Sequence, residues 1–140
     1  MKKTFYIGGI TFLLVALAGI FIFIKLYNRS HEDLYKSTPD FVLSVEQIVN
    51  SFEEDENQAN KMYLDKIIQI EGNISEISAV SGNSIITITS ENHSKSIVCN
   101  MDVMENKKVL ALQEGQKVVL RGVCAGFLME VILVRTIIIN

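Results

Sequence analysis

Hydrophobic and polar positions follow three regimes along this chain, and each regime predicts a different element. From Phe5 to Ile24, 20 consecutive residues carry no charge, and Leu13, Leu14, Val15, Leu17, Ile20, Phe21, Phe23 and Ile24 crowd the second half of the run. A helix of that length crosses a hydrocarbon layer of about 30 Å, and a lone segment in lipid must be helical to satisfy its own backbone groups. The pattern predicts one transmembrane helix, so residues 1–27 read as an anchor. Residues 28–43 are polar, with Arg29, His31, Glu32, Asp33, Lys36 and the single proline, Pro39; they read as a tether between membrane and domain.

At Ser44 the pattern turns helical. A serine followed three residues later by Gln47 forms a capping box, and Val45, Ile48, Val49 and Phe52 then share one face. The acids Glu53, Glu54, Asp55 and Glu56 interrupt the stripe, which resumes at Ala59, Met62 and Tyr63, either in the same helix or after a short break. The glycine and alternating ligands of a calcium loop are missing there, so the acids read as a solvated face.

From Lys66 the period changes to two. Ile68, Ile70, Gly72 and Ile74 alternate with Gln69, Glu71, Asn73 and Ser75, as in a half-buried strand, and Gly72 marks curvature or a bulge. Ile77 breaks the alternation and Ser81-Gly82-Asn83 turns the chain. A second strand follows over 85–90, a third through Ile97, Cys99 and Met101, and a short helix within 102–112 closed by Glu114-Gly115. The fourth strand runs from Lys117 to Cys124, Gly126 permits a turn, and the last strand, 130–139, is apolar on both faces, which predicts cover on both sides. Three strands, a short helix and two strands give the order of an OB-fold, a five-stranded Greek-key barrel. The reading is a mainly β domain over residues 44–140, with an N-terminal helix packed on the barrel.

Composition narrows the function. Once Lys2, Lys3, Lys25 and Arg29 are set aside, nine Lys and Arg face all 16 Asp and Glu, a formal net charge of −7 for residues 30–140. Such a domain repels phosphate backbones. His31 and His93 stand near no cysteine at ligand spacing, so neither a metal site nor a cofactor site is predicted, and no nucleophile–base pair or carboxylate pair marks a catalytic site. Cys99 and Cys124 read as buried thiols; in an oxidising compartment a disulfide between them is the alternative. Lys2 and Lys3 ahead of the span face Lys25 and Arg29 behind it; the α-amine and the shortness of the leading segment tip the expected topology to N-terminus inside, with the domain outside the cytoplasm. A cleaved signal peptide, with Ala16-Leu17-Ala18 as the cut, competes with the anchor; against it, the apolar run continues from Gly19 to Ile24.

Tyr63-Leu64-Asp65-Lys66 leading into Ile70-Glu71-Gly72, then Val98-Cys99, Gly115-Gln116-Lys117-Val118, Arg121-Gly122-Val123-Cys124-Ala125-Gly126 and Val131-Ile132-Leu133, resemble the bacterial family of small OB-fold proteins called tRNA-anticodon-domain-like. The resemblance spans 61–139 and implies a barrel with an N-terminal membrane helix or lipid anchor, and no defined activity. It also implies a further cysteine in the last strand, where this chain has Thr136. The expected role is a noncatalytic module binding a protein or other partner at the bacterial inner membrane, with its domain in the periplasm. The contact surface expected of an OB-fold lies by the loops joining strands one to two and four to five, here Val80, Ser81, Gly82 and Asn83, and the segment 125–129 with its apolar Phe127, Leu128 and Met129. Single-stranded nucleic-acid binding on the face of strands two and three is the alternative, although neither strand holds an aromatic residue for base stacking.

Overall fold

The computed structural model describes residues 15–22, 34–92 and 94–139, which fall into two units, Met1–Asp33 and Leu34–Asn140. In the first unit residues 15–22 are helical, with Val15, Leu17, Ile20, Phe21 and Ile22 all exposed. Among the described residues no helix is long and apolar enough to cross a membrane. The rest of the predicted span 5–24, tether residues 28–33 with His31, and His93 lie outside the described residues.

In the second unit the elements are β1 (Phe41–Ser44), α1 (Val45–Glu54), α2 (Glu56–Tyr63), β2 (Ile67–Val80), β3 (Asn83–Thr89) and β4 (Ser96–Met101). A 3-10 turn (Val103–Glu105), α3 (Asn106–Val109), β5 (Lys117–Leu128) and β6 (Glu130–Ile138) complete the chain. The hydrogen-bonded order β2-β3-β4-β6-β5 closes through β2–β5, and only β4–β6 is a parallel pair within this ring. Ile68, Ile70, Ile74, Ile86, Ile88 and Ile97 are fully buried inside it; each contributes about 1.5–3 kcal/mol by leaving water.

Closure depends on β2, which pairs with β5 through 67–73 and with β3 through 73–80. At the handover a Cβ on Gly72 would stand 2.8 Å from the Thr89 carbonyl oxygen and 3.0 Å from Val45 Cγ2, so only glycine permits the approach. One extra residue at Ser75 then forms a bulge, since Ile74 opposes Ile88 while Glu76 opposes Thr87. The bulge returns Ile77 to the interior opposite Ile86, which explains the broken alternation.

Helix α1 begins as its capping box predicts: Gln47 N–H donates to Ser44 Oγ and Ser44 N–H to Gln47 Oε1. Val45, Ile48, Val49 and Phe52 all enter the barrel core. The stripe breaks at Asp55, extended at φ −154°, whose carboxylate accepts from Gln58 N–H and caps α2. Ala59 and Tyr63 are buried, whereas Met62 is exposed.

The segment read as tether divides. Residues 34–43 belong to the domain: Asp40 exchanges hydrogen bonds with Ile67, its N–H to the carbonyl oxygen and its carboxylate from the N–H, each 2.8 Å. β1 thereby starts a parallel pairing with β2. Arg121 Nη1 donates to the carbonyls of Leu34 (2.9 Å) and Ser37 (2.7 Å), while its Nε and Nη2 donate to Gln69 Oε1. Leu34 is thereby held on Val123 and Ile137 in a second small cluster, which supplies the outer cover predicted for the last strand.

Cys99 and Cys124 are free and buried. Both oppose Leu133, Cys99 from β4 and Cys124 from β5, so two strand spacings of about 4.8 Å separate them. That exceeds the roughly 7 Å a disulfide tolerates, so the two thiols stand apart and the disulfide expected as the alternative is not formed. Burial also raises both thiols above their ordinary value of 9.0. A disulfide-exchange reagent is expected to label neither cysteine of the folded chain at neutral pH and both in denaturant; rapid native labelling of either would contradict the packing. Thr136, where the resemblance implies a further cysteine, is fully buried, and among the described residues its hydroxyl has no hydrogen-bond partner. Thr136→Val is expected to stabilise the fold by about 1 kcal/mol, because it removes an unsatisfied polar group without changing shape; a lower urea midpoint would refute this.

Candidate partner-binding surface

On the outside of β3 and β4, half-buried Ile85, Thr87, Val98 and Asn100 alternate with the buried Ile86, Ile88, Ile97 and Cys99. Register sets Ile85 beside Asn100, Thr87 beside Val98, and Val98 beside Ile132 of β6, with Glu76 and Ser78 of β2 on the other flank. This face is narrow, β-branched and carries one carboxylate. The described residues of β3 and β4 include neither an aromatic ring nor a cation; Arg135 lies in the β6 bulge next to Asn100.

The predicted loops are shorter than expected and lie at opposite ends of the face. Val80 and Asn83 are strand residues, and the turn is Ser81 and Gly82, with φ of 53° and 85°. Positive φ at both central residues suits a two-residue hairpin. Asn106 fixes this turn by donating to the Gly82 carbonyl and accepting from the Ser84 N–H and hydroxyl. At the other end Gly126 does not turn the chain: β5 continues to Leu128 and reverses at Met129 alone, φ 66°. Phe127, grouped with the apolar tip in the sequence reading, instead stacks on Phe52 with ring centroids 5.6 Å apart. Leu128 and Met129 remain 76% and 92% exposed. The structure therefore leaves a two-residue apolar tip where three residues were expected.

Two features were not legible in sequence. A groove of about 460 Å³ lies where β2, β3, β5 and the start of α1 meet, lined by Glu46, Glu71, Asn73, Ser90, Glu91 and Lys117. Lys117 is ion-paired to Glu71, so the groove is acidic on balance and repels anionic ligands. The other is Glu105, only 2% exposed. Its carboxylate accepts from the Tyr35 hydroxyl, from Lys108 Nζ at 3.2 Å and from the Ile138 N–H at 3.1 Å. An i, i+3 Glu–Lys spacing was visible in sequence, but nothing there marked its inward turn. Among the described residues no group of three or more His, Cys, Asp or Glu is placed to hold a metal ion.

A five-stranded barrel with this closure and a short helical segment between its third and fourth strands is an OB-fold domain. The chain belongs to the tRNA_anti-like family, whose model matches residues 1–138, further than the 61–139 that carried the resemblance. A lipoprotein of Klebsiella pneumoniae, provisionally named as nucleic acid-binding, shares the fold at 22% identity and TM-score 0.61, covering 71% of this chain and 91% of its own. The Stn1–Ten1 complex of S. pombe aligns at 24% identity and TM-score 0.43, over 49% of this chain and 52% of that one. No curated protein matches the chain.

Proposed function

We propose that this protein is a noncatalytic OB-fold module, anchored in the bacterial inner membrane by residues 5–24, whose periplasmic domain binds a protein partner through the Leu128–Met129 tip. The observation that carries the binding reading is that tip. Two large apolar side chains stand in water at a strand reversal where polar residues are the rule, while the adjacent Phe127 is absorbed into the core. The anchor is supported by the uncharged run of 20 residues and by helical residues 15–22, which expose apolar side chains on every side rather than along one stripe.

The provisional name of the Klebsiella lipoprotein raises single-stranded nucleic acid as a second reading. Among the described residues, β3 and β4 hold none of the stacking rings or cations such binding uses, and the domain is acidic. Crosslinking and capture from intact membranes with the full chain and a Leu128→Ser/Met129→Ser variant tests the leading reading. A partner held by the native chain and lost from the variant is expected. Equal capture by both would reject the tip, and retention of short single strands that falls steeply with salt would favour the second reading.

A further inference from the structure

The end of the barrel where the chain joins it carries a second apolar surface. Glu105 and Val109 turn inward, and this leaves Val103, Met104 and Leu110 63%, 87% and 87% exposed. The exposed Lys107 and Lys108 lie between them in the chain. Tyr35, the second residue of the domain unit, meets this segment directly. Its hydroxyl donates to Glu105 and accepts from Lys108, whose ammonium lies 4.7 Å from the ring centre.

We propose that this segment rests on an anionic lipid surface, with Val103, Met104 and Leu110 in the interfacial layer and Lys107 against lipid phosphates. The inference rests on the anchor reading given above. Nine residues, 25–33, separate the predicted span from Leu34; fully extended they reach about 30 Å. On that reading the tether keeps Tyr35 and the segment it meets within reach of the lipid surface. Tethering at that range makes a weak surface contact sufficient.

Charge favours the same end. Glu46, Glu71 and Glu91 line the groove at the Thr89 end of β3, whereas Asn106 holds α3 at the Ser84 end. Near α3, Asp102 is engaged by Met104 N–H and Glu105 by Lys108. With Lys108 ion-paired to Glu105, the exposed Lys107 is the cation this end turns to an anionic surface, and apolar side chains beside a lysine are the composition of an interfacial contact. The Met129 reversal lies at the Ser96 end of β4, opposite to Asn106, so this docking directs the proposed partner tip away from lipid.

The test uses the full chain reconstituted in vesicles of phosphatidylcholine mixed with phosphatidylglycerol. An environment-sensitive fluorophore is placed at Met104→Cys, Leu110→Cys or, as the distant control, Glu91→Cys, with quenchers attached to lipid headgroups. Quenching at 104 and 110 but not at 91 is expected. Lys107→Glu, or vesicles of phosphatidylcholine alone, should reduce the docked-to-free ratio about fivefold or more, at about 1 kcal/mol for each surface lysine. Probes at 104 quenched no more than at 91, on chains that float with the vesicles, would overturn the proposal and leave the anchor standing. Failure to float would remove the anchor and this proposal together. Shielding at 104 that persists in detergent, with crosslinks between two 104 positions, would assign the patch to a second copy and overturn lipid docking.

Discussion

Replacing Glu105 by alanine is expected to destabilise the domain by about 2–4 kcal/mol, because a buried carboxylate that satisfies several donors is removed at once. Tyr35 and Lys108 are partly exposed and can turn to water. The Ile138 N–H cannot: it is buried in β6 and Glu105 is its acceptor at 3.1 Å. The thermal midpoint should fall by roughly 4–8 °C for each kcal/mol lost in a domain of this size. Glu105→Gln keeps an acceptor for Ile138 and should cost less than half as much. An alanine variant within about 0.5 kcal/mol of the native protein, the ordinary range of a surface change, would show that the network is incidental.

The same cluster sets an alkaline limit. Desolvation, then the hydrogen bond to Glu105, raises the Tyr35 hydroxyl above its ordinary 10.0. Hydrogen bonds to Tyr35 and then to Glu105 raise Lys108 above 10.5. Both groups bind their protons more tightly folded than unfolded, so their contribution is complete below about pH 10 and is lost as pH climbs through the folded values. Tyr35→Phe should flatten that alkaline decline.

Phe52→Ala is expected to cost about 3–5 kcal/mol, the range for removing a buried aromatic ring. Phe52 is 2% exposed, with its ring 5.6 Å from Phe127 and 6.0 Å from Tyr63. It therefore joins α1, α2 and β5 in one contact. The effect should be less than additive with Phe127→Ala, since each substitution already forfeits the shared stack. If urea unfolding of Phe52→Ala instead showed a loss under about 1 kcal/mol, α1 would be an attachment rather than part of the barrel core.

Local physics made much of the fold legible. Strand periodicity, the Ser44–Gln47 box and the glycines at 72 and 82 act over a few residues, so a linear reading finds them. The family motifs likewise lie inside individual strands. Misreadings came where a distant partner decided the outcome. Residues 34–43 are polar enough to pass for a spacer, and they fold because Arg121, some 84 to 87 residues away, gathers the carbonyls of Leu34 and Ser37. Phe127 looked like part of an exposed tip, and Phe52 of α1 claimed it. The Ala125–Met129 segment looked like a loop around Gly126, yet β6 pairs with it to within one residue of the reversal.

By itself the sequence determined the barrel, its helix start, the acidic character of the domain and the apolar run at its N-terminus. These follow from composition and from periods of two and 3.6, which each short segment carries alone. Only the tertiary structure decided that Glu105 is buried, that the two cysteines flank Leu133 without meeting, and that the apolar surface divides into a Met129 tip and a Met104–Leu110 end. Burial and distance are set by what the rest of the chain brings to a residue, and no local pattern contains that information.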